Sequence, residues 1–93
     1  MWEIFEHRRV ARQLNRLPDN ILKRYEIWKE IIFTTGPDGL RRIRAFRDEA
    51  LRGEWQGHRS SRLNQQYLLI YRIEREEVKV EVVKVNAHDY RRR

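Results

Sequence analysis

Five residues in the second half of this 93-residue chain, Glu49, Arg59, Arg62, His88 and Tyr90, are of the types needed to cut RNA without a metal ion. In that reaction a ribose 2′-hydroxyl attacks its own phosphodiester, so one group removes a proton and another returns one to the leaving oxygen. Glu49 and His88 suit those transfers. The pentacovalent transition state gathers negative charge, and a planar guanidinium is a preorganised donor for it. Arg59 and Arg62 could supply that, while Tyr90 could stack on a base or orient a phosphate. Each residue also has a plainer reading. A lone carboxylate such as Glu49 in a charge-rich stretch is ordinarily just solvated. The two arginines could form surface ion pairs, His88 could end a strand in a hydrogen bond, and Tyr90 could pack. His58 is a weaker base or acid, because Arg62 two positions along needs no proton-transfer partner to bind phosphate, and it counts with Arg59 among the candidates for contact with RNA phosphate.

The rest of the composition favours a polyanionic partner. The formal net charge is +7, and the basic residues are seventeen Arg against four Lys. That skew favours bidentate phosphate recognition and stacking on bases over diffuse attraction to a membrane surface. Arg41, Arg42, Arg44 and Arg47, clustered in "LRRIRAFRDEALRGEW", and Asp89, Arg91 and Arg92 near the end are further candidates for contact with RNA phosphate. There is no cysteine, and His7, His58 and His88 stand far apart, so neither a metal site nor another cofactor is expected. No apolar stretch approaches spanning length and no signal-peptide pattern opens the chain, which points to the cytoplasm by default.

These groups must be positioned by a single domain, residues 1–93, with 40% hydrophobic and 38% charged residues. "WEIFEH" suits an opening strand. "HRRVARQLNRL" places Val10, Leu14 and Leu17 at helical spacing. Asp19 is a plausible N-cap for a second helix through "NILKRYEIWKEIIF", with Ile21, Tyr25, Trp28 and Ile32 in one stripe. "TTGPDG" is expected to stop that helix. From Gln56 the period becomes two: "QGHRSSRL" sets His58, Ser60 and Arg62 on one face, with Arg59, Ser61 and Leu63 on the other. "QYLLIYRI" and "VKVEVVKV" follow, joined by a charged turn, "EREE". The expected fold is α+β: an antiparallel sheet, made of the N-terminal strand and a C-terminal three-strand meander, packed on an N-terminal two-helix hairpin.

"ALRGEWQGHRSSRLNQQYLLIYRI", followed by a valine-rich strand and "AHDY", resembles the RelE/ParE superfamily of toxins from type II toxin–antitoxin modules. The resemblance is to the ribosome-dependent mRNA interferases of the YafQ, YoeB and HigB kind, and it rests on a Leu-x-Gly-x-Trp element at Leu51, Gly53 and Trp55 and on "YLLIY" before a hairpin. It implies a RelE-like fold and an endoribonuclease that enters the ribosomal A site, meets rRNA there and cleaves mRNA. A cognate antitoxin from the same operon would block the site. By the same resemblance Glu49 is the base, Arg62 stabilises the phosphate, His88 is the acid, and Asp89 and Tyr90 match the terminal Asp-Tyr of some members. Some relatives carry an arginine in the third strand where this chain has Leu68, so Arg59 or Arg62 would take that duty. Two other readings remain open: a ParE-type poison of DNA gyrase, and a non-catalytic RNA-binding module.

Overall fold

The computed structural model describes residues 1–87. Strand β1 (Glu3–Glu6) leads into helix α1 (Arg8–Leu14) and the long helix α2 (Asp19–Arg41). The chain then passes through a 3₁₀ turn (Arg44–Phe46), the two-residue strand β2 (Glu49–Ala50) and a second 3₁₀ turn (Gly53–Trp55). Strands β3 (Arg59–Arg62), β4 (Tyr67–Glu74) and β5 (Lys79–Ala87) complete the described part.

The five strands form one sheet in the order β1-β5-β4-β3-β2. The meander of β3, β4 and β5 is antiparallel as expected, but β1 lies parallel to β5, with Ile4 opposite Val80 and Glu6 opposite Val82. The sheet is therefore mixed rather than antiparallel, and it gains a fifth, very short strand on its far edge. A parallel pair needs a long crossover between its members, and everything from α1 to β4 supplies it here.

Both helices cover one face of the sheet. The stripe read from the sequence is the one that packs: Ile21, Tyr25, Trp28 and Ile32 are at most 2% exposed and meet Leu69, Tyr71, Val80, Val82 and Val85 from the strands. Burying a large side chain of this kind is worth about 1.5–3 kcal/mol, so this stripe dominates the attachment of α2. At the start of α1 the His7 ring accepts a hydrogen bond from the Arg9 amide at 3.2 Å, capping a free N–H. For α2 the capping position is Pro18, and Asp19 is already the first helical residue, where its charge favours the positive end of the helix dipole.

"TTGPDG" breaks α2 without ending it. Gly36 has φ 77° and ψ −179°, and Pro37 then begins a further turn that runs to Arg41. Proline is tolerated there because the first residue of a helical turn has no intrahelical use for its N–H. Glycine is required at position 36 for a second reason, since a Cβ there would lie 2.5 Å from the Trp2 indole nitrogen.

Candidate functional site

The face of the sheet turned away from the helices carries a cleft of about 530 Å³ over its β2–β5 half. Its floor follows from register. Glu49 is opposite Ser60, Ser60 opposite Ile70, and Ile70 opposite Lys84, so one row crosses four strands. The next row on the same face is Arg62, Leu68 and Asn86. Directly opposed residues point to the same side of a sheet, which puts Glu49, Ser60, Arg62, Lys84 and Asn86 together. Trp55 closes one wall, with the Lys84 ammonium 5.9 Å from its ring centre and the His58 ring edge-on at 5.3 Å.

Lys84 reaches this face through an irregularity. Strict alternation from Val80 and Val82, which point into the core, would send residue 84 inward as well. The ladder between β4 and β5 shifts instead: Tyr71 is opposite Val82 but Ile70 is opposite Lys84, leaving Val83 as the extra residue of a bulge. Val85 becomes the core residue, and its amide donates to the Gln13 side chain of α1 at 2.7 Å.

On the opposite face, directly behind the cleft, lies a polar cluster within the core. The Asp48 carboxylate, with its side chain 1% exposed, accepts from Arg59 Nε at 2.6 Å, from Ser61 Oγ at 2.8 Å and from the Tyr71 hydroxyl. Trp28 Nε1 donates to Ser61 Oγ at 3.0 Å and tethers the cluster to α2. Burial and the bond to Asp48 push the Tyr71 hydroxyl above its ordinary range. Burial opposes the charge on Arg59, but its bond and attraction to Asp48 outweigh that and hold the guanidinium above its usual value. Among the described residues no buried side-chain polar atom lacks a partner.

The structure thus separates two residues that the sequence grouped. Arg62 lies at the cleft and donates to the Gln65 carbonyl at 3.1 Å. Arg59 faces the core and is engaged by Asp48, as alternation along β3 requires. Arg47 sits beside Arg62 in a neighbouring hollow of about 190 Å³. Arg41, Arg42 and Arg44 are exposed around the end of α2 and the first 3₁₀ turn, outside the cleft lining, and Arg41 is 3.7 Å from Asp38. His88, Asp89, Tyr90, Arg91 and Arg92 lie outside the described residues. Sequence reasoning missed Lys84 and Asp48. The doubled valine in "VEVVKV" is the only trace of the first, and an aspartate among charged neighbours gave no trace of the second.

No family model matches the sequence, and no curated protein is significantly similar to it. Solved structures do align over nearly the whole chain. The archaeal RelE–RelB complex from Pyrococcus horikoshii OT3 matches at TM-score 0.75 with 20% identity, over 96% of this chain and 97% of that one. The YoeB–YefM complex from Staphylococcus aureus matches at 0.73 with 14% identity, over 96% and 99%. The toxin–antitoxin complex RelBE2 from Mycobacterium tuberculosis matches at 0.62 with 26% identity, over 94% and 98%. The chain has the RelE/ParE toxin fold. The cleft described here lies on the helix-free side of the sheet. Among the described residues no group of three or more His, Cys, Asp or Glu is placed to hold a metal ion, and no helix is long and apolar enough to cross a membrane.

Proposed function

We propose that this protein is the toxin of a type II toxin–antitoxin module, acting in the cytoplasm as a ribosome-dependent mRNA endoribonuclease and held inactive by a cognate antitoxin. The observation that carries this reading is the meeting of Glu49, Arg62 and Lys84 on the open face of a RelE-like sheet. A single carboxylate stands there among two cations, the neutral polar residues Ser60 and Asn86, and apolar side chains. Glu49 would take the 2′-hydroxyl proton. Arg62, with Lys84, would hold the phosphate as its charge grows, an effect for which losing a single donor typically costs about 10²–10³ in rate.

The acid is assigned to His88, which directly follows the last described residue of β5, and Tyr90 would orient the substrate beside it. The products would be a 2′,3′-cyclic phosphate and a 5′-hydroxyl. Arg47, Arg91 and Arg92 would contact phosphates of mRNA or ribosomal RNA.

Primer extension on mRNA in a translating extract tests this reading. Codon-phased cuts that require ribosomes are expected from the wild-type protein, and Glu49→Gln and Arg62→Ala should abolish them while leaving the fold intact. Intact mRNA alongside inhibited supercoiling by purified gyrase would replace this reading with a ParE-type one. Tight, salt-sensitive RNA binding without products would leave only a binding module.

A further inference from the structure

Glu49 stands on a strand of two residues at the edge of the sheet, joined to β3 through the Glu49–Ser60 and Ala50–Arg59 pairs. Such a short edge strand has little ladder of its own to fix the direction of a side chain. What precedes it is better fixed. The Asp48 carboxylate is buried behind the sheet and bonded to three side chains from two different strands, Arg59 and Ser61 of β3 and Tyr71 of β4. Successive residues of an extended chain point to opposite faces. Holding Asp48 inward therefore holds Glu49 outward, over the cleft.

Arg47, immediately before, adds a second observation. It is one of two non-glycine residues with positive φ among the described residues, at φ 46° and ψ 48°. A strained conformation of this kind persists only where its surroundings over-determine it. The first 3₁₀ turn (Arg44–Phe46), with Phe46 1% exposed in the core, fixes the chain on one side of Arg47, and Asp48 fixes it on the other.

We propose that Asp48 is the positioning residue for Glu49: its buried carboxylate clamps the entry of β2 against β3 and β4 and so sets where the Glu49 carboxylate stands in the cleft. The part concerning catalysis rests on Glu49 acting as the base. The part concerning the clamp does not.

Asp48→Asn tests both, because it keeps the shape but turns an NH₂ group toward side chains that are themselves donors. Hydrogen exchange measured by NMR reads the clamp. The amides of Glu49, Leu51 and Ser60, on the ladder between β2 and β3, should lose protection in the variant while the β4–β5 amides keep theirs; unchanged protection at Glu49 and Leu51 overturns the proposal. Single-turnover cleavage of ribosome-bound mRNA reads the consequence in wild type, Asp48→Asn, Glu49→Gln and the double variant. Displacing a catalytic group by an ångström costs about a hundredfold, so Asp48→Asn should slow cleavage by roughly that factor with ribosome affinity unchanged. In the Glu49→Gln background it should slow nothing further. An equal loss in both backgrounds means general damage and overturns the proposal. Should the asparagine variant not fold, Tyr71→Phe, which leaves Arg59 and Ser61 on Asp48, takes its place with a smaller loss and the same non-additivity. A Glu49→Gln variant that cleaves like wild type refutes the reading of Glu49 as base, while the exchange data still decide the clamp.

Discussion

Arg59→Ala and Arg62→Ala should fail in opposite ways, although the two arginines are three residues apart on a four-residue strand. The Arg59 side chain is 16% exposed and its Nε lies 2.6 Å from a carboxylate that is 1% exposed. Removing one partner of a buried pair strands the other charge and costs about 3–5 kcal/mol. Ser61 and Tyr71 still donate to Asp48 in the variant, which puts the expected loss at the lower end, about 3 kcal/mol. For a domain of this size each kcal/mol lowers the melting temperature by about 4–8 °C, so a fall of about 12–24 °C is expected. RNA binding below the new melting temperature should keep the wild-type dependence on salt. Arg62→Ala should melt within a few degrees of wild type but bind RNA more weakly, with the slope of log affinity against log salt reduced by about 0.7, the value for one lost contact on a single strand. Thermal denaturation by circular dichroism, together with RNA titrations at several salt concentrations, gives both quantities. An Arg59→Ala protein that melts normally but has lost a phosphate contact would show that Arg59 leaves Asp48 to meet RNA, and would refute the reasoning.

Burial, followed by hydrogen bonds to Glu6 and Asp48 respectively, pushes the hydroxyls of Tyr25 and Tyr71 above their ordinary pKa of 10.0, so the folded protein holds these protons more tightly than the unfolded chain does. Their stabilisation is complete below about pH 10 and declines above it by about 1.4 kcal/mol per pH unit for each. Tyrosinate absorbance should therefore show both ionising only as ellipticity is lost, and ionisation of either in a folded chain near pH 10 would contradict the buried bonds. Val78→Gly should stabilise the protein. Val78 is 42% exposed with φ 53°, a left-handed conformation that costs an L-residue about 1–2 kcal/mol, against about 0.5–1 kcal/mol for the added freedom of unfolded glycine. A rise in melting temperature of a few degrees is expected, and a fall would mean that the valine packs usefully. Lys84→Ala should weaken RNA binding and flatten its salt dependence with little change in melting temperature; affinity equal to wild type would remove Lys84 from the site.

Much of this fold is legible from periodicity, because the stripe Ile21, Tyr25, Trp28 and Ile32 and the three-strand meander are local patterns that the tertiary structure keeps. The direction of β1 is not, since nothing in "WEIFEH" records whether its distant partner runs with it or against it. The course beyond Gly36 was half legible. The glycine does break the helix, but Pro37, which reads as a stop, restarts it.

The site divides in the same manner. Alternation along β3 correctly sorts Ser60 and Arg62 from Arg59 and Ser61, yet it says nothing about which face is inside. Serine and arginine look like surface residues until Asp48, Tyr71 and Trp28 supply them with partners. The resemblance to RelE-type toxins points to Glu49 and Arg62, and both stand at the cleft. It is silent on Lys84, whose place depends on a single extra residue in β5.

That extra residue makes the end of β5 a matter of parity. Removing Val83 alone would close the bulge and join Val82 directly to Lys84, so Lys84 and Asn86 would keep their side over the cleft and Val85 its side in the core. Removing any one regular residue of the strand beyond the bulge would instead reverse every side chain after it. Single-residue insertions and deletions in this part of the chain should thus be accepted at the bulge and rejected beyond it, more by where they fall than by which residues they contain.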